Sequence, residues 1–136
     1  MINHNAIYAI CENALNNPYE YGKNDCNTLA LGILDEIAGT EWVKECTYTT
    51  YKGGLKRLIE LGYESTGDII KQYVEPVTVA IDGDIWIDPD NGNMLSVVMS
   101  NRMFTVNNEH TEFNLSPTEK GTYYRIRKLE NGKGDN

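Results

Sequence analysis

Apolar residues recur at helical spacing in the first half of the chain, and β-rich runs replace them in the second half. Apolar positions three and four residues apart predict three amphipathic helices, over residues 5–15, 26–38 and 52–61. Residues 40–51 lack this period, so we expect a loop there with extended or short helical pieces. A further short helix is predicted over about residues 68–73, with a cap within residues 65–68 and an end before Pro76.

Five runs after Val77 are rich in β-branched and aromatic residues, which predicts strands. They cover residues 85–88, 94–100, 102–106, 111–115 and 122–128. Residues 88–93 are typical of a tight polar turn, and residues 100–102 of a hairpin connection. Helices followed by an antiparallel sheet indicate the α+β class. We expect one domain over residues 1–128 and a flexible tail over residues 129–136.

The composition disfavours two kinds of partner. The 136 residues carry a formal net charge of −8, so no basic stripe is available to neutralise phosphates, and we expect no nucleic-acid partner. The same charge disfavours an anionic membrane surface, and no apolar run reaches the length of a membrane span. Residues 1–15 also lack the cationic start and the small-residue cleavage site of a signal peptide.

The cysteines do not indicate a disulfide framework. Cys11, Cys26 and Cys46 are an odd number without paired spacing, which fits synthesis in a reducing compartment. Cys11 falls on the apolar stripe of the first helix and is expected to be buried, and no role is assigned to Cys46. No paired-cysteine motif or histidine cluster indicates a metal, and the polar residues 88–91 lack the closing glutamate of a calcium loop. We expect neither a metal nor another cofactor.

Cys26 lies where a polar loop becomes the second helix. Asp25 and Asn24 are both candidates for the helix N-cap, and Gly39 ends the helical pattern. The amino end of a helix favours thiolate over thiol, which makes Cys26 a candidate nucleophile. The alternative is a buried structural cysteine at a helix start, and the sequence leaves both interpretations open.

The residues around Cys26 resemble the nucleophile region of NlpC-type cysteine peptidases. Residues 18–22 read PYEYG and residues 25–29 read DCNTL, where that family has Pro-Tyr-x-Trp-Gly, a loop, and Asp-Cys-Ser-Gly-Leu. A closer similarity is to a small phage and prophage family related to those peptidases, in which the loop is short. Residues 48–65 and the glycine–aspartate pair at 83–84 are also similar to that family. The resemblance implies a papain-like fold, with the Cys26 helix packed on a C-terminal antiparallel sheet.

The resemblance also implies a catalytic base that this chain lacks at the expected position. NlpC-type enzymes carry a histidine at the start of the second strand, and aligning Phe104 with the family's phenylalanine places Met94 at that position. Methionine cannot accept a proton, so the usual base is absent there. His110 follows the strand 102–106 in a polar turn and could curl back towards Cys26 over roughly 13 Å of extended chain. Tyr19 matches the family's tyrosine near the nucleophile.

We expect a catalytically degenerate NlpC-like domain that serves as a structural or adaptor protein of a phage virion or tail. One alternative is an active cysteine hydrolase that cuts a peptidoglycan peptide or another amide, with Cys26 as nucleophile and His110 as base. Another alternative is a non-catalytic module that binds a cell-wall peptide along Tyr19, Tyr21 and Trp86. The expected partners are other virion proteins in multiple copies, and the expected location is the virion after assembly in the host cytoplasm.

Overall fold

The computed structural model describes residues 3–127. Its helices are α1 (His4–Leu15), α2 (Cys26–Ala38), α3 (Trp42–Glu45), α4 (Tyr51–Leu61) and α5 (Thr66–Ile70), with a 3₁₀ turn at Lys71–Tyr73. Its strands are β1 (Val74–Val77), β2 (Ile85–Asp88), β3 (Asn91–Met99), β4 (Arg102–Val106), β5 (Phe113–Pro117) and β6 (Tyr123–Ile126). The predicted tail over residues 129–136 lies outside the described residues, as does residue 128.

The six strands form one antiparallel sheet in the order β1-β6-β2-β3-β4-β5. In the middle of the sheet, Ile85 on β2 pairs with Val97 on β3, and at one edge Phe104 on β4 pairs with Leu115 on β5. The helices come first in the chain and α2 packs against β3. The α+β class expected from the sequence is confirmed, with the Cys26 helix resting on the sheet.

Helix α2 is the central helix of the core because it is apolar on more than one face. Leu31, Ile33 and Leu34 are each no more than 1% exposed, although they point in different directions around the helix. One side contacts β3 and another contacts α1, whose buried stripe includes Cys11. Burial raises the pKa of the Cys11 thiol to about 12, and nearby Asp82 adds to the increase. Cys11 therefore behaves as a core residue, as its place on the stripe indicated.

Several predicted boundaries are confirmed and several are wrong. The bounds of α2, β2 and β4 match the prediction, but β1 was missed because Pro76 was taken only as a helix end. A proline is tolerated there since β1 is an edge strand that pairs only with β6. The short helix also begins earlier than predicted, at Thr66, because the Ser65 hydroxyl accepts a hydrogen bond from the N–H of Asp68.

Two turns differ from the prediction. The turn predicted over residues 88–93 is confined to residues 89–90, and β3 already begins at Asn91, with a register shift after Ile87 on β2. The strand predicted over residues 111–115 instead begins at Phe113. Its first residues are held in a loop because the Asn107 side-chain oxygen accepts hydrogen bonds from the N–H groups of residues 111 and 112.

A buried ion pair joins β6 to the turn before β2. The Asp84 carboxylate is 2% exposed and receives two hydrogen bonds from the Arg125 guanidinium, at 3.0 and 3.1 Å. It also accepts from the N–H of Ile81, and Arg125 donates to the carbonyl of Val79. The carboxylate is thus fully partnered, which is the condition for a buried charge to be tolerated.

None of the helices in the described part of the chain has the length and apolar character needed to cross a bilayer.

Candidate functional site

The loop before α2 is organised by the buried side chain of Asp25, which is 1% exposed. One carboxylate oxygen accepts from the N–H of Thr28 at 2.7 Å, which makes Asp25 the N-cap of α2. The other oxygen accepts from the N–H of Gly22 at 2.8 Å and from the hydroxyl of Tyr48 at 2.6 Å. The Thr28 hydroxyl completes a capping box by accepting from the Asp25 N–H. Of the two candidates in the sequence, Asp25 is therefore the cap.

Asn24, the other candidate, closes the loop against α1. Its side-chain amide donates to the carbonyl oxygens of Ala14, Asn17 and Pro18 at 3.0 to 3.1 Å. Two adjacent side chains thus fix the short loop before α2. Asn24 bonds to the end of α1 and the start of the loop, and Asp25 bonds to Gly22 and to the first turn of α2.

Gly22 allows the loop to approach the segment around Tyr48. Its φ is +84°, a conformation that favours glycine, and a Cβ added there would lie 1.8 Å from the Tyr48 carbonyl oxygen. No side chain fits such a space without moving the backbone. The contact explains why the PYEYG segment needs glycine at its last position.

Cys26 is the first residue of α2, and its thiol is held in the protonated form. Burial raises the pKa of the Cys26 thiol, and the neighbouring Asp25 carboxylate raises the pKa further. Contacts of the sulfur with the Leu95 backbone and with the Tyr19 hydroxyl lower the pKa without reversing this increase. The amino end of the helix is therefore not enough to make Cys26 a thiolate near neutral pH.

A groove of about 430 Å³ opens above Cys26. Its aromatic wall is formed by Tyr19, Tyr21, Tyr51 and Trp86. The rings of Tyr19 and Tyr21 meet edge to face, with centroids 5.6 Å apart, and the centroids of Tyr21 and Tyr51 are 6.0 Å apart. The groove has the size of a small-molecule or peptide side-chain pocket.

The residues predicted as site residues all line this one groove. Cys26, Tyr19 and His110 do so, and so does Met94, which is 50% exposed at the place where the resemblance puts the base. His110 is brought there because the N–H of Tyr19 donates to the carbonyl oxygen of Thr111 at 2.8 Å, which ties the turn after β4 to the loop before α2. The His110 and Tyr19 rings have centroids 6.0 Å apart.

His110 does not engage the thiol. Its Nδ1 lies 3.3 Å from the carbonyl oxygen of Asn108, and the residue is exposed with a φ of 56°. Within residues 3–127, no hydrogen bond joins its imidazole to Cys26. The groove thus contains a thiol and an imidazole without the direct contact that a nucleophile and its base require.

Several groove residues were missed in the sequence. Asn27 donates from its amide to the Cys26 sulfur at 3.6 Å and to the carbonyl oxygen of Asn93 at 3.4 Å, both long contacts. Asn93 in turn accepts from the N–H of Thr66 at 2.9 Å, so β3 and α5 are joined behind the groove. Glu119 also lines the groove. Of these residues, only Asn27 could have been found from the sequence, because it follows the candidate cysteine directly. The contacts of Asn93 and Glu119 join parts of the chain that are far apart in sequence.

The side chains at the site do not form a metal centre. Over residues 3–127, no group of three or more His, Cys, Asp or Glu side chains is arranged to hold a metal ion. The groups that line the groove are a thiol, phenols, side-chain amides, aromatic rings, the His110 imidazole and the Glu119 carboxylate.

We expect Gly22→Ala to destabilise the fold far more than Gly62→Ala. The first change forces a Cβ onto the Tyr48 carbonyl oxygen, whereas Gly62 has a similar φ of +93° and open space around it. We expect a loss of about 3 kcal/mol or more for Gly22→Ala and about 1 kcal/mol for Gly62→Ala. Urea unfolding of the two variants measures both, and equal losses would contradict the close approach.

We expect Tyr19→Phe to raise the pKa of Cys26 further, because the variant loses the hydroxyl that stabilises the thiolate. The midpoint of iodoacetamide alkylation against pH should therefore move up. Peptide mass spectrometry separates Cys26 from the two buried cysteines. Tyr21→Phe is the matched control, since Tyr21 lines the same groove and should leave the midpoint in place. A midpoint that falls in Tyr19→Phe would show that the hydroxyl does not donate to the sulfur.

Comparison with known proteins identifies the family but not an activity. The profile of a family described as "Domain of unknown function (DUF6950)" matches residues 3–122, which is most of the chain. No curated protein and no solved structure matches the chain. The chain belongs to the DUF6950 family.

Proposed function

We propose that the chain is a catalytically degenerate domain of the papain-like, NlpC type that serves as a structural or adaptor protein of a phage virion or tail. The main support for a loss of activity is the identity of the residue at the position of the catalytic base. Met94 lines the groove above Cys26 where the resemblance places the histidine, and its thioether cannot take a proton. The thiol below it has a raised pKa.

The arrangement of α2 on the sheet supports the papain-like part of the proposal. The cysteine is the first residue of a helix that packs on β3, and the N–H of Leu95 on that strand faces the sulfur. A helix that starts with a cysteine and rests on an antiparallel sheet is what the resemblance implies. Met94 precedes Leu95 on β3 and lines the same groove as Cys26.

A thiol in this state is a poor nucleophile. An ordinary cysteine of pKa 8.5 is ionised to only about 3% at pH 7, and a raised pKa reduces the fraction further. Enzymes of this kind overcome the deficit with an adjacent imidazole or a favourable charge, whereas Cys26 has the Asp25 carboxylate beside it. The adjacent carboxylate is also part of the Asp-Cys motif of the peptidases that the chain resembles, so the missing base is the feature that argues against catalysis.

The virion role rests on the similarity to a phage and prophage family and on the surface of the chain. The net charge of −8 suits contact with basic patches of other proteins. The sheet has two edges, β1 and β5, and each carries a proline, Pro76 and Pro117. Prolines at sheet edges limit uncontrolled pairing between copies, which suits a protein held at high local density in a particle.

One observation favours a second function, that of an active cysteine hydrolase. His110 lines the groove of Cys26, and its ring contacts the Tyr19 ring. This function requires the His110 imidazole to move towards the sulfur, since no hydrogen bond joins the two within residues 3–127. In that role Cys26 would attack an amide carbonyl, His110 would take the thiol proton, and the N–H groups at the start of α2 would hold the oxyanion.

Two variants separate these functions through the Cys26 alkylation profile. We expect His110→Gln to leave the profile unchanged, because the imidazole does not contact the thiol. We expect Met94→His to lower the apparent pKa by about one unit, because it returns a partly cationic imidazole to the base position. An increase of the apparent pKa in His110→Gln, together with amide cleavage by the unaltered chain that Cys26→Ala abolishes, would favour the hydrolase.

We expect the chain to be a component of particles released by the strain that encodes it. Induction of its prophages, followed by density-gradient purification and quantitative mass spectrometry, should find the chain in the particle band at a fixed ratio to the other virion proteins. The Cys26→Ala variant, introduced at the locus, should give particles with the same content and infectivity, because the thiol has no catalytic task. Finding the chain only in the soluble fraction, and not in the particle band, would contradict the virion role.

A further inference from the structure

The groove above Cys26 is lined by hydrogen-bond acceptors, aromatic rings and the His110 imidazole. Among the described residues that line it, Glu119 is the sole carboxylate, and neither lysine nor arginine is present. Glu119 is exposed, so its charge is available to a ligand. A carboxylate beside aromatic faces is the arrangement with which proteins bind organic cations.

The segment that carries Glu119 runs past the indole of Trp86. A Cβ added to Gly121 would lie 3.9 Å from the Trp86 Nε1, which places Gly121 beside the nitrogen edge of the indole. Glu119, two residues earlier, lines the same groove as Trp86. The face of tryptophan is the strongest of the aromatic faces for a cation.

The groove also contains a side-chain oxygen, that of Asn27, which lacks a hydrogen-bond donor among the described residues. The Oδ1 atom of Asn27 is buried and accepts no hydrogen bond within the described part of the chain. Asn27 lines the groove, and its own amide N–H groups are turned to Cys26 and Asn93. A buried acceptor without a donor is costly, so a shift of the Asn27 side chain that exposes Oδ1 to a ligand N–H is favoured.

The rim of the groove is apolar and uncovered. Tyr51 and Met94 are each 50% exposed, which is unusual for side chains of their size. An aliphatic stem laid along them would cover this surface while its charged end reached the acidic part of the groove. The ligand that fits all of these features has an apolar stem, a positive end and N–H donors.

We propose that the groove binds a lysine side chain on an extended peptide segment of a partner protein. The ammonium group pairs with Glu119 and lies against Trp86, the stem covers Met94, and a peptide N–H donates to Asn27. The choice of a protein as the source rests on the proposed virion function, whereas the ammonium chemistry rests on the groove alone. The net charge of −8 adds a long-range attraction for such a cation.

The probe is the tripeptide acetyl-Ala-Lys-Ala-amide, followed by the indole N–H signals of the ¹⁵N-labelled full chain. The chain has two tryptophans, and Trp86→Phe assigns their signals. We expect the lysine peptide to shift the Trp86 signal in a saturable way and to leave Trp42 in place, because Trp42 donates to the Tyr73 hydroxyl away from the groove. The same peptide with an Nε-acetylated lysine should not bind at these concentrations, since it keeps the aliphatic stem and loses the charge.

Glu119→Gln should weaken binding of the lysine peptide about three- to fivefold, as expected for one partly exposed charge contact. Glu36→Gln is the matched control, because it makes the same change at an exposed position of α2 outside the groove, and should not alter the affinity. Binding that Glu119→Gln leaves unchanged would overturn the assignment of the ammonium site.

Two further outcomes identify the source of the ligand and separate this proposal from the function. If n-butylamine binds as tightly as the tripeptide, the groove takes a small amine and the peptide occupant is wrong. If the lysine peptide does not bind while the chain is found in particles, the groove assignment fails and the virion role stands. If the lysine peptide binds and the chain is absent from particles, the virion role fails and the ammonium site stands.

Discussion

The structure around the candidate site depends on one buried carboxylate, that of Asp25. Three segments distant in sequence or different in conformation donate to it: the loop at Gly22, the first turn of α2 at Thr28, and the Tyr48 hydroxyl. A buried charge is tolerated only when such partners are present, so the buried carboxylate needs all three donors. The carboxylate therefore fixes where α2 begins, and with it where the Cys26 thiol lies.

The same carboxylate limits what the thiol can do. A helix start favours a thiolate, but the Asp25 charge and the burial of Cys26 favour the protonated form, and their effect is the larger one. A cysteine hydrolase with this cap needs a cationic partner near the sulfur to restore the balance. The groove has a methionine at the place implied for that partner, and its imidazole, at His110, hydrogen-bonds elsewhere.

The sequence predicts those parts of the fold that local physics determines. The bounds of α2 follow from its apolar period, its cap and the glycine at position 39, whose φ is +78°. Strand β4 is likewise found at its predicted bounds. Edge strand β1 was missed because its proline argues against a strand, and only its place beside β6 shows that the proline is harmless.

The candidate site was less predictable because it is built from long-range contacts. Cys26 and Tyr19 have a local motif, but Tyr48 reaches Asp25 across 23 residues and Asn93 reaches Thr66 across 27. The arrival of His110 at the groove depends on one backbone hydrogen bond, from Tyr19 to Thr111. The spacing of apolar residues cannot predict this hydrogen bond, because it joins two loops and neither loop has a regular apolar pattern.

A groove and a reactive thiol have different requirements, and this difference explains how one can persist without the other. The groove needs a rigid frame, which the Asp25 network and the packing of α2 on β3 provide. Catalysis needs in addition a base within reach of the sulfur, and the residue at position 94 is a methionine. The aromatic wall, the exposed rim and the Asn27 acceptor that has no partner among the described residues are all present in the groove. A groove can therefore keep its binding surfaces although no imidazole in residues 3–127 contacts the thiol.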